Sequence, residues 1–182
     1  RAPITEPSAW TSADLNNGND WEIYLEPRQV DDLLGALERV NRQALPLDQI
    51  TCEAFALPNC GAVISRIRQG LCTGRGFALM HGFPVEGHER EDIARMYWGF
   101  CAHLGLGLTQ NSDGGLIHYV TEGRLRPNQG TRGVGNPGTV SLHVDLADCT
   151  SLLCVQQAAD SPKSQLASST QVHNELLQRS PE

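Results

Sequence analysis

The stretch Ser141-Leu142-His143-Val144-Asp145 decides how the rest of this 182-residue chain is read. A Gly/Pro/Asn-rich segment precedes it, and the apolar run Ser151-Leu152-Leu153-Cys154-Val155 follows it. The pattern predicts a strand. Residues two apart on a strand share a face, so His143 and Asp145 would project together. An imidazole and a carboxylate so placed are two of the three donors of a 2-His-1-carboxylate iron site, which leaves positions open for substrate and oxygen. The bland alternative is a hydrogen-bonded, inert His–Asp pair on a barrel rim. The metal reading expects both side chains to face one cavity.

Composition bounds the setting. The length suits one domain, and 40% apolar residues are enough for a core. Net charge is −7, against a nucleic-acid surface or an anionic membrane partner, both of which call for clustered Lys and Arg. No apolar run approaches a membrane span, and no basic-then-apolar leader opens the chain. The first residue, Arg rather than Met, reads as an excerpt or a processed chain. Cys52, Cys60, Cys72, Cys101, Cys149 and Cys154 form no CxxC pair and lie in apolar segments. They are expected to be free buried thiols in a reducing cytosol rather than a disulfide frame or zinc ligands.

Outward from the central stretch, residues 1–26 form a polar arm in which Trp10 and Trp21 are expected to clamp onto the body. Ser12 to Leu15 predicts a short turn. Pro27 opens a helix whose stripe is Val30, Leu33, Leu34, Leu37 and Val40. Asp31, Asp32, Glu38, Arg39 and Arg42 are expected on its solvated face. Pro46 ends this unit. A second helix follows Gly61 with Val63, Ile64, Ile67 and Leu71 on one side and Arg66 and Arg68 on the other. Gly74 to Gly82 brackets a short buried strand, with His81 a satisfied core or strand-end residue. A third helix spans about His88 to Leu104, with Met96 in the core and Gly105 and Gly107 stopping it.

After a turn at Asp113-Gly114-Gly115, a strand is predicted over 116–120. The long loop 121–139, with Arg124, Arg126 and Arg132, sits where a lid would be. Further strands are predicted over 151–155 and 166–168. Ser168 with Gln171 fits a capping box before a helix from Ser169 to Arg179. His173, on that helix beyond the strands, is not assigned as a ligand. About five strands result, fewer than the eight or so of a jelly roll. The fold is then either a small α+β domain of another kind or a jelly roll lacking its second half.

Several segments in order resemble the taurine dioxygenase (TauD/TfdA-like) family of iron(II)- and 2-oxoglutarate-dependent oxygenases. They are Gly74-Arg75-Gly76-Phe77, Tyr97-Trp98-Gly99, Leu104-Gly105 with Gln110-Asn111, Leu142-His143-Val144-Asp145, Leu152-Leu153-Cys154, and Ser168-Ser169 to His173-Asn174-Glu175-Leu176-Leu177. The likeness covers residues 8–182 and is to the N-terminal portion of such a protein. It implies an α+β fold: a double-stranded β-helix (jelly-roll) oxygenase core with flanking N-terminal helices, incomplete at the C-terminus. The domains are an arm, 1–26, and the oxygenase portion, 27–182.

The resemblance implies iron(II) held by His143 and Asp145 as the catalytic metal site. 2-Oxoglutarate would be the co-substrate, and oxidation of a small-molecule C–H bond would give succinate and CO2 as co-products. The substrate expected is a small amino acid or similar carboxylate. Ser164 falls where the family places a hydroxyl on the co-substrate, although Ser161-Pro162 departs from the usual Gly-Gly before it. Asn111 falls on the substrate side. The family's second His and co-substrate Arg have no counterpart here, so a catalytically incompetent binding module is the alternative. A small α+β domain with an incidental His–Asp pair is a third reading. A cytoplasmic location is expected.

Overall fold

The computed structural model describes residues 2–120, 142–157 and 163–180. The predicted lid loop with its three arginines, Ser141, and the Ser161-Pro162 turn lie outside the described residues.

Five α-helices and two short strands make up the described chain: α1 (Ser12–Asn16), β1 (Glu22–Tyr24), α2 (Pro27–Arg42), α3 (Gly61–Cys72), β2 (Leu79–His81), α4 (Arg90–Cys101) and α5 (Ser169–Arg179). A single 3-10 turn covers Leu47–Gln49. The strands pair in parallel, Glu22 with Leu79, Ile23 with Met80 and Tyr24 with His81. Parallel neighbours need a long crossover, and here α2 and α3 supply it.

Helix α2 begins where predicted. Pro27 occupies its first turn, and Glu26 and Gln29 cap it reciprocally. Its inner stripe, Leu33, Ala36, Leu37 and Val40, is buried and packs on α4. Met96 and Phe100 answer from α4, and Phe55 and Ile50 from the linking segment. Each such side chain withdrawn from water contributes roughly 1.5–3 kcal/mol. The polar face of α2 is not simply solvated, contrary to expectation. Asp32 accepts from the Asn59 backbone N–H at 2.6 Å and side-chain amide at 2.9 Å. Arg39 donates to Ala56 O at 2.7 Å. Both tie the 55–60 segment to the helix, because its backbone groups need partners that no ladder provides. Arg66 on α3 likewise donates to the Asp20 and Glu22 carbonyls, both at 3.0 Å.

The arm is fastened as predicted. Trp10 is buried, donates from its indole N–H to Arg75 O at 2.8 Å, and meets Phe77 edge-on. Trp21 also contacts Phe77. The arm's start is held by α5: Asn174 accepts from Ile4 N at 2.8 Å and donates to Ile4 O at 2.7 Å. Ser168 caps α5 by accepting from Gln171 N and also bonds Ser8 O. The expected capping box is half formed, since the Gln171 side chain turns to Glu175 instead.

Several strand predictions fail. Residues 116–120, 142–145, 151–155 and 166–168 have irregular backbone. The predicted 74–82 strand contracts to Leu79–His81, with Leu79 exposed. An alternating pattern shows only that a segment suits a strand; the ladder comes from a neighbour. Leu142, Val144 and Leu146 are exposed, so the apolar half of that pattern has no sheet or helix covering it in the described chain. The jelly-roll core implied by the resemblance is not seen in the described residues, which form a helical body with one parallel strand pair. The cysteines are free, but only Cys60 is buried, whereas Cys72, Cys149 and Cys154 are exposed. His81 ends β2 as predicted but is not satisfied. It stacks on Tyr24 with centroids 4.4 Å apart, while its buried Nε2 makes no hydrogen bond and lies 3.9 Å from Glu22.

Candidate metal centre

His143 and Asp145 converge although no strand forms. His143 Nε2 lies 3.6 Å from Asp145 Oδ1. Two donors held about 2.1 Å from one ion at tetrahedral or octahedral angles stand roughly 3.0–3.4 Å apart. The observed gap is within a few tenths of that, so a small adjustment would let this pair share a metal. The donor chemistry suits iron(II), for which one imidazole and one carboxylate are two of three facial ligands. Among the described residues, no group of three or more His, Cys, Asp or Glu could hold an ion.

The surroundings of the pair differ from the expected enclosed cavity. The side chains are 62% and 53% exposed. A hollow of about 490 Å³ does exist beside α4, lined by residues including Arg90, Arg95 and Tyr119, with the Arg90 guanidinium 4.5 Å above the Tyr119 ring. Neither His143 nor Asp145 lines it.

Local contacts set the carboxylate. Thr150 Oγ1 donates to Asp145 Oδ2 at 3.0 Å, which leaves Oδ1 toward the imidazole. The next residue, Ser151, meets α4, where Cys101 Sγ donates to Ser151 Oγ at 3.7 Å and Tyr97 lies one turn earlier on the helix. Burial pushes the Tyr97 phenol up to about 12 and raises the Cys101 thiol, so both stay protonated donors at neutral pH. Sequence reasoning did not connect Thr150, Ser151 and Cys101 with the His143–Asp145 pair. A hydroxyl five residues after Asp145 was the available signal, and serines and threonines are too common in turns for it to stand out.

The other two candidates lie apart in character. Asn111 is exposed, and its side-chain oxygen accepts from Asp113 N at 3.1 Å and Gly115 N at 2.7 Å. That oxygen organises the 110–115 turn, an ordinary role for Asn. Ser164 is exposed on the irregular stretch before α5. No described helix is long and apolar enough to cross a membrane.

Comparison with known proteins bears on this geometry. The family model described as "Taurine catabolism dioxygenase TauD, TfdA family" matches residues 45–182. The chain is 29% identical over 184 residues to a protein named FR-33289 synthase from Streptomyces rubellomurinus, covering all of this chain and 54% of that protein. It is 23% identical over 187 residues to "Taurine hydroxylase-like protein SAT17" from Stachybotrys chartarum, covering 98% and 49%. The chain thus spans about half the length of the curated relatives it matches.

Proposed function

The chain belongs to the taurine catabolism dioxygenase (TauD/TfdA) family, and from that membership we propose that it is part of an iron(II)- and 2-oxoglutarate-dependent dioxygenase acting on a small molecule. The observation that carries the reading is the 3.6 Å approach of His143 Nε2 to Asp145 Oδ1. In this proposal His143 and Asp145 hold the iron. Bound iron with 2-oxoglutarate and oxygen supplies the oxidising power for a substrate C–H bond, with succinate and CO2 as co-products.

The protein's own part is to present donors and to position reactants. His143 offers the Nε2 lone pair, which requires a neutral imidazole, and Asp145 offers the charge that favours a divalent cation. Ser164 is assigned to hydrogen-bond the co-substrate and Asn111 to the substrate side, where its Nδ2 can donate while its oxygen keeps the turn. A small amino acid or similar carboxylate is the substrate class. The oxygenase domain is taken as 27–182, following an arm at 1–26, with a jelly-roll core and a cytoplasmic location.

The test is succinate formation from 2-oxoglutarate with iron(II), using the protein that carries this chain. His143→Ala and Asp145→Ala are each expected to reduce it to background. Succinate formed at an undiminished rate by both variants would remove the proposal. Iron binding that depends on both residues, without any turnover, would make the chain a binding module instead.

A further inference from the structure

We propose that Thr150 is a positioning residue that fixes the Asp145 carboxylate for metal ligation, and that Tyr97 and Cys101 on α4 hold Thr150 in place through Ser151. The inference rests on the reading of His143 and Asp145 as ligands.

A carboxylate on a solvent-exposed segment rotates freely between its two oxygens. Here the rotation is stopped at one of them. Thr150 Oγ1 bonds Oδ2 at 3.0 Å, and Oδ1 is the oxygen left facing His143 Nε2 at 3.6 Å. Threonine suits this because its branched Cβ restricts χ1 and so restricts where the hydroxyl points. The hydroxyl also needs a fixed base. Residues 142–150 are all exposed, so burial does little to hold them. The neighbouring Ser151 reaches the body, where Cys101 of α4 donates to its hydroxyl at 3.7 Å and Tyr97 stands four residues earlier on the same helix face. The path from the packed core to the proposed ligand therefore runs α4, Ser151, Thr150, Asp145. Partners that orient a ligand in this way are worth about 10- to 100-fold in metal affinity.

Manganese(II), titrated alone into the chain and followed by the electron paramagnetic resonance signal of the free aqua ion, reads this without turnover. Thr150→Val, which keeps the shape and loses the hydroxyl, is expected to weaken binding about 10-fold or more. Thr150→Ser, which restores the hydroxyl, is expected to return most of that affinity. Tyr97→Phe is expected to weaken binding to a lesser degree. Thr150→Val is expected to leave the melting temperature unchanged, because the residue is exposed. Wild-type affinity in Thr150→Val, with binding lost in His143→Ala, would overturn the positioning role and leave the ligand pair standing. Equal losses in Thr150→Val and Thr150→Ser would also overturn it, since the hydroxyl would not be the agent. Unchanged binding in His143→Ala would overturn the ligand reading itself.

Discussion

Gly99 and Phe55 share a space that admits no side chain at position 99: a Cβ there would overlap the Phe55 ring. Phe55 is fully buried at the centre of the core, so it has little room to retreat. Alanine gains up to about 1 kcal/mol over glycine inside a helix. Overpacking a core costs about 1–3 kcal/mol. With the ring so close, the clash wins. Gly99→Ala is expected to lower stability by about 1–2 kcal/mol, read as a lower urea midpoint at constant slope. Combined with Phe55→Leu it should cost less than the two changes summed. A more stable Gly99→Ala variant would contradict the packing described.

Thiol labelling should follow exposure rather than sequence context. Cys72 and Cys154 are exposed and are expected to react at once with an aromatic disulfide reagent. Cys60 is buried beside Asp32. Burial first, then that carboxylate, pushes its thiol up to about 11. The thiolate is the reactive form, so Cys60 should label only on unfolding. Early labelling of Cys60 in the native protein would mean that the α2–α3 junction opens.

Ser168 joins the two ends of the described chain. Its hydroxyl accepts from Gln171 N, at the start of α5, and donates to Ser8 O in the arm. Ser168→Ala removes a helix cap worth about 1 kcal/mol and a second hydrogen bond of similar size. The amide of Ile4, bonded to Asn174 on α5, reports the result. It should exchange with solvent several-fold faster in the variant, while amides of α2 keep their rates. Equal acceleration everywhere would show that α5 and the arm are not a separate unit of opening.

Asp20 and Arg75 give a pH signature. The Arg75 Nε donates to Asp20 Oδ1 and Oδ2 at 3.0 and 3.1 Å, and this pairing holds the Asp20 carboxyl below its ordinary range. A carboxyl lowered on folding adds stability above its unfolded pKa and loses it as pH falls through the folded one. The window is therefore the acid side of the usual carboxylate range. Asp20 is largely exposed, so the effect is small and weakens with salt. Arg75→Met should narrow the stability difference between neutral and acid pH. An unchanged difference would exclude the pair as a contributor. Loss of core packing is not expected, because Trp10 bonds the Arg75 backbone carbonyl, which the variant keeps.

The helices could be read from the chain because helix formation is local. Pro27, the α2 stripe, Ser168 before α5 and the apolar spacing of α3 each act within a few residues. Family membership was legible for a related reason, since ordered short motifs survive without knowledge of contacts. The approach of His143 to Asp145 was also foreseen, though by way of a strand that the described chain lacks. A spacing of two residues can bring side chains together in more than one backbone conformation.

What the sequence determined by itself was therefore the helical frame, the clamping role of Trp10 and Trp21, and the pair of residues on which the proposed chemistry rests. Tertiary structure alone decided which strand-like segments pair, since a ladder needs hydrogen bonds from residues far away along the chain. It also decided that Asp32 and Arg39 serve the 55–60 segment and that position 99 leaves no room for a side chain beside Phe55. Each of these depends on the distance between groups brought together by folding, a quantity that no local pattern encodes.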